Sequence, residues 1–242
     1  MEQNQPNWIA NFIWSIADDI LRDVYVRGKY RDVILPMTVI RRVDAVLEPT
    51  KDDVLKMEKQ LDEAGISNKD FALCQASKQP FYNTSPFTLK DLKARAKQQQ
   101  LKTDFEAYVD GFSPNIQQIL EKFKFRNQIQ TLIDADVLAQ LIEKFLNPDI
   151  NLSPKPRNLS GNERLPALDN QAMGTIFKEL IRRFNEEDNE EAGEYFTPRD
   201  VIKLMADLIL LPITDKIEFS DNSSSQKWLT DTIFTMTYDK VE

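Results

Sequence analysis

Apolar residues recur three and four positions apart over long stretches of this chain, and that period commits it to helices. Trp8, Ile9, Phe12, Ile13, Ile16, Ile20 and Val24 make one such stripe. They share a face only if the backbone turns once every ~3.6 residues. Val33, Ile34, Met37, Ile40, Val43 and Leu47 make a second stripe, and Met173, Ile176, Phe177, Leu180, Ile181 and Phe184 an unusually regular third. Only "DTIFTMTY" near the C-terminus alternates as a strand would. The expected fold class is therefore mainly α.

Punctuation divides the pattern into elements. Gly28 predicts the end of the first helix. Pro36 falls in the first turns of the second, where proline is tolerated best, and Pro49 and Thr50 end it. "TKDDVLKMEKQLDEAG" predicts a third helix, with acids at its positive end and Gly65 at its close. Ser67 with Asp70, and Thr88 with Asp91, have the spacing of a capping box. Ser113-Pro114 offers a cap followed by proline at the first helical position. Helices around Ile116–Phe123 and Ala135–Leu146 complete this block. The turn-rich "SKQPFYNTSPF" carries Phe81, Tyr82 and Phe87, which read as a cover over the core.

Residues 147–166 hold four prolines and little apolar period, as a linker or irregular crossing would. The expected organisation is a helical bundle over 1–147, an irregular linker over 148–167, further helices over 168–217 and a Ser/Thr-rich tail over 218–242.

Composition removes several chemistries. With no histidine and one cysteine, Cys74, the chain has no Ser-His-Asp or Cys-His catalysis, and no zinc or other metal site is expected. No stretch of ~20 apolar residues could span a bilayer. "MEQNQPNW" lacks the basic and apolar regions of a signal peptide, so a cytoplasmic protein with no membrane partner is expected. The net charge of −8 argues against nucleic acid, but six acids lie within Glu186–Glu194 alone. Near the first two helices, Arg22, Arg27, Lys29, Arg31, Arg41 and Arg42 gather. Their pattern fits both a solvated mixed-charge surface and a face that contacts phosphates.

Gly193 joins the acidic run to "GEYFTPRDVIKLM". Thr197 and Asp200 form a capping-box pair, and Pro198 suits the first helical position. Two readings of the aromatics stand side by side. Phe196 can staple to Val201 across the cap while Tyr195 covers a core edge. Alternatively, the helix start and Arg199 offer an anion site, with Tyr195 and Phe196 flanking it.

The segment "GEYFTPRDVIKLMADLI" resembles the one that opens the methyltransferase domain in modification subunits of type I restriction-modification systems. "FIWSIADDILRD" and "YRDVILPMTVIRRVD" look like the start of that family's N-terminal helical domain, and "MGTIFKELIRRFNE" like its bridge into the catalytic domain. These pieces occur in family order across roughly residues 8 to 217.

The resemblance implies a fold in which the bundle leads into a Rossmann-like methyltransferase domain. It implies transfer of a methyl group from S-adenosylmethionine to adenine N6 in DNA, in a complex with a specificity subunit and a restriction subunit. It places Glu194, Tyr195, Phe196, Thr197, Pro198 and Arg199 at the cofactor's methionine end. It also makes Arg22, Arg27, Lys29, Arg31, Arg41 and Arg42 candidates for a DNA-facing surface.

The family pattern then departs. Gly193 is the last glycine, so no Gly-rich cofactor loop follows it, and no Asn-Pro-Pro-aromatic motif occurs. The chain therefore looks like the N-terminal portion of such a subunit, whether a deliberately shortened product, a frameshifted product or, as its unfamiliar tail favours, the product of a truncated gene, and no catalytic residue is assigned. The isolated chain is expected to be inactive. The alternative is a non-enzymatic helical protein that binds partner subunits.

Overall fold

The computed structural model describes residues 5–95, 100–158 and 164–187. Its helices are α1 (Gln5–Leu21), α2 (Arg31–Leu47), α3 (Lys51–Glu63), α4 (Asp70–Ser77), α5 (Leu89–Ala94), α6 (Leu101–Asp110), α7 (Pro114–Lys122), α8 (Arg126–Asp134), α9 (Leu138–Phe145) and α10 (Asn170–Glu187). A two-residue hairpin, β1 (Arg157–Asn158) and β2 (Arg164–Leu165), interrupts the series before α10. It pairs antiparallel, Arg157 opposite Leu165 and Asn158 opposite Arg164. The mainly helical class follows from the apolar stripes, and the hairpin adds the only strands among the described residues.

One large core unites α1, α2, α5 to α9 and α10. The stripe on α1 supplies Ile9, Ile13 and Ile16, that on α2 Ile34, Met37 and Ile40, and that on α10 Ile176, Leu180 and Phe184, all buried. The most extensive helix seam is α1 against α10. There Trp14 packs on Phe184 with ring centroids 4.9 Å apart. A smaller cluster of Val54, Leu73 and Tyr82, with Met57, Leu61 and Cys74, holds α3 to α4 separately. Among the described residues, no helix is long and apolar enough to cross a membrane.

Local signals succeed where no distant residue competes. Gly65 has φ +67° and closes α3, with the Ile66 N–H donating to Leu61 O at 2.9 Å. Thr88 caps α5 in a complete box: the Asp91 N–H donates to Thr88 Oγ1, and Asp91 Oδ2 accepts the Thr88 N–H at 2.8 Å. Thr88→Ala is expected to cost about 1 kcal/mol, read from the urea midpoint; no change would mean that water replaces the cap.

The same spacing fails at Ser67. There α4 begins at Asp70 without a side-chain cap, and Asp70 accepts the Tyr82 hydroxyl instead. Pro114 does open α7, but Ser113 gives no cap bond. Its Oγ accepts the Tyr82 N–H at 3.3 Å and donates to Asn115 Oδ1 at 2.6 Å.

The first helix stops at Leu21, well before Gly28. Val24 and Tyr25 turn back, their N–H groups donating to Leu21 O at 3.0 and 2.9 Å, and pack on the core. Gly28 lies in a short 3-10 turn, Arg27–Lys29. The aromatic loop does cover the core: Tyr82 is buried, and Phe81 and Phe87 pack half-buried against the main cluster.

The proline-rich stretch after α9 is an irregular crossing fastened to the bundle. Ile150, Leu152 and Leu168 are buried. Asn151 Nδ2 donates to Lys155 O and Pro166 O, each at 2.8 Å, and the Leu168 N–H donates to Ser153 O at 2.9 Å.

Candidate functional site

The six cations expected on one surface divide into two sets. Arg22, Arg27 and Lys29 are exposed in the connection between α1 and α2, and Arg31 is half-exposed at the start of α2. Their acidic neighbours are loosely held: Arg27 lies 3.9 Å from Asp18, Lys29 3.5 Å from Asp32 and Arg31 4.0 Å from Asp32. Surface pairs of this kind contribute about 0–1 kcal/mol, so the cations can exchange partners at little cost.

Arg41 and Arg42 are corrected from surface to interior. They are only 4% and 9% exposed and point into the protein from α2. Arg41 Nε donates to Phe145 O at 3.1 Å, at the end of α9, and its guanidinium lies 3.6 Å from the Asp44 carboxylate. Asp44 accepts the Tyr108 hydroxyl at 2.9 Å and the Leu89 N–H at 3.1 Å. Burial pushes the Asp44 carboxyl up and the Arg41 guanidinium down, each against the attraction of the other. Burial likewise holds the Tyr108 phenol well above its ordinary value, with Asp44 adding to the effect.

Arg42 Nη1 donates to Leu152 O at 2.5 Å and Leu168 O at 2.9 Å, and Nη2 donates to Asn170 Oδ1 at 2.9 Å. Neither arginine is available to a duplex in this arrangement. A sequence signal for Arg41 existed. Arg41 and Asp44 stand three apart, in register with Ile34, Met37, Ile40 and Leu47, and charges on a helix's apolar stripe go inward together.

A second polar cluster escapes the sequence entirely. Lys51, in the first turn of α3, donates from Nζ to Asn83 O at 3.1 Å and Asn83 Oδ1 at 2.9 Å. Burial lowers its amine to about 8, outweighing the acids Asp44, Asp91 and Glu58. With Asp44, Glu48, Asn83, Thr88 and Tyr108 it lines a cavity of about the size of a water molecule. That space admits no organic substrate, so the cluster is structural.

Its pH behaviour follows from the sign of the shift. An unfolded chain, with the Lys51 amine near its ordinary 10.5, binds more protons than the folded one between about 8 and 10.5. Wild type should therefore gain stability relative to Lys51→Met as pH rises through that window. Urea unfolding of both at pH 7 and pH 10 measures it, and an unchanged difference would mean that the amine is not desolvated.

Glu194, Tyr195, Phe196, Thr197, Pro198 and Arg199, the expected cofactor segment, lie outside the described residues, as does the strand-like tail. Among the described residues, no group of three or more His, Cys, Asp or Glu is arranged to hold a metal ion.

Two families of known proteins match this arrangement in order. The HsdM N-terminal domain matches residues 9–145, the bundle from α1 to the end of α9 and more than half of the chain. The N-6 DNA Methylase family matches residues 168–228, beginning where Arg42 fastens the crossing. The chain therefore belongs to the modification subunits of type I restriction-modification systems, and it carries the N-terminal portion of such an adenine methyltransferase subunit. The methylase family is generally dependent on S-adenosylmethionine. Neither the curated proteins nor the solved structures provide a match.

Proposed function

We propose that this chain supplies the docking portion of a type I complex. It would hold the specificity and restriction subunits through its helical bundle, contact nearby DNA phosphates, and furnish one wall of the S-adenosylmethionine site. The observation that carries this reading is the ordered pair of family matches, the HsdM N-terminal domain over 9–145 and the N-6 DNA Methylase family over 168–228.

Glu194 to Arg199 suit the methionine end of the cofactor by their chemistry. The helix start expected from the Thr197–Asp200 spacing and the Arg199 cation would complement a carboxylate, and Glu194 an ammonium. When bound, the cofactor supplies an electrophilic methyl group. The Gly-rich cradle and the Asn-Pro-Pro-aromatic motif that would place a flipped adenine are not encoded in these residues. The isolated chain should thus show no incorporation of radiolabelled methyl into adenine-containing duplex. Incorporation above a no-enzyme control overturns the reading.

For DNA, the exposed Arg22, Arg27 and Lys29 with the half-exposed Arg31 form the candidate surface, reaching phosphates without reading bases. Binding of a fluorescent duplex should fall steeply with added salt. Arg27→Glu with Lys29→Glu should weaken it and flatten the salt slope by roughly 2. A salt response identical to wild type assigns these cations to a solvated face.

A further inference from the structure

We infer that α10, the first helix of the methylase-family segment, is mechanically part of the helical bundle, clamped there by Arg42, so that it acts as a rigid strut by which the bundle's position enters that segment. The family matches alone divide the chain between residues 145 and 168. The contacts do not divide it there.

Three independent attachments cross that stretch. Arg42 joins α2 to both ends of the crossing and to the first residue of α10, through Leu152 O, Leu168 O and Asn170 Oδ1. A buried guanidinium with three acceptors loses little by staying and much by leaving, because departure strands two buried carbonyls as well as the cation. The crossing also closes on itself, through Asn151 and the Leu168 N–H, so its ends cannot separate without breaking buried bonds. Further along α10, Ile176, Leu180 and Phe184 are fully buried, and Arg183 lies over the Trp14 ring at 5.9 Å and donates to Asn11 Oδ1 at 2.5 Å. These residues fasten α10 to α1 at its other end.

A proline-rich stretch of this composition would ordinarily serve as a spacer between domains. Here its proline count conceals a fixed joint. A displacement of the bundle, by DNA or by a partner subunit, would move α10 with it.

Amide hydrogen exchange on the full chain tests this, read peptide by peptide. In wild type, α10 should exchange as slowly as α1 and α2, and Arg42→Met should speed exchange over residues 150–153 and 168–176 by at least about tenfold. Exchange in α6 and α8 should stay within about twofold, which separates release of the strut from general unfolding. Arg42→Lys, which keeps the charge but cannot reach three acceptors, should fall between the two. Wild-type α10 exchanging far faster than α1, or Arg42→Met leaving residues 168–176 as protected as before, overturns the inference. A uniform rise throughout the bundle in both Arg42 variants also overturns it, because Arg42 would then support the core in general and not α10 in particular.

Discussion

Asp44→Ala is expected to destabilise the bundle by about 3–5 kcal/mol, because it leaves the Arg41 guanidinium buried without its carboxylate. Asp44, on α2, is the hub of four elements: Arg41 on the same helix, the Tyr108 hydroxyl on α6 and the Leu89 N–H at the start of α5 converge on it, and Arg41 continues to Phe145 O on α9. Removing the carboxylate strands two hydrogen-bond donors, the Tyr108 hydroxyl and the Leu89 N–H, and leaves the Arg41 charge unpaired. Burial disfavours the charged form of each partner, lowering the Arg41 guanidinium and raising the Asp44 carboxyl against their mutual attraction. The double variant Arg41→Met, Asp44→Leu should therefore recover most of the loss, since it removes the charges together. Urea unfolding of the single and double variants measures both quantities. A single-variant cost below about 1 kcal/mol, or a double variant as unstable as the single, would sink the argument.

The helical class, the satellite helix α3 and the long helix α10 were legible because each rests on short-range signals: apolar spacing, a positive-φ glycine and acids near a helix start. The Thr88 box was legible for the same reason, and the identical Ser67 spacing misled because Tyr82, twelve residues beyond Asp70, takes that carboxylate. The end of α1 was misjudged because Val24 keeps the helical rhythm while packing from a turn. Helix α8 was not anticipated, having only Ile129, Leu132 and Ile133 to mark its face among polar residues.

The candidate site divides along the same line. Arg22, Arg27, Lys29 and Arg31 could be picked out as a local run of cations. Whether Arg41 and Arg42 joined them depended on Phe145, Leu152 and Leu168, more than a hundred residues away. Charge type alone does not distinguish a phosphate contact from a buried clamp, because both need a guanidinium surrounded by oxygen acceptors. The Lys51–Asn83 bond had no local signature at all, for neither residue stands on a periodic face that points to the other.

The same substitution should have opposite effects at two glycines, and the contrast isolates close packing from helix propensity. At Gly111, between α6 and α7, an added Cβ would lie 2.5 Å from Ser85 N, 2.7 Å from Ser85 Cβ and 2.9 Å from Asn83 Oδ1. The nearest of these is backbone and cannot swing aside. The loop it meets is pinned on every side: Thr84 N–H donates to Gly111 O at 2.8 Å, the Ser113 N–H donates to Tyr82 O at 3.0 Å, and Asn83 Nδ2 donates to Tyr108 O at 2.9 Å while Lys51 holds its oxygens. Gly111→Ala should therefore cost about 3 kcal/mol or more, by forcing this loop off the α6–α7 turn. Gly174 lies within α10 with nothing within 4 Å of its added Cβ. Gly174→Ala should stabilise by about 0.4–1 kcal/mol, through the lower freedom of the unfolded chain. Urea midpoints of the two variants against wild type measure the contrast. A mild loss at Gly111 would mean that the loop is free to shift, and with it the Asn83 anchor that Lys51 needs.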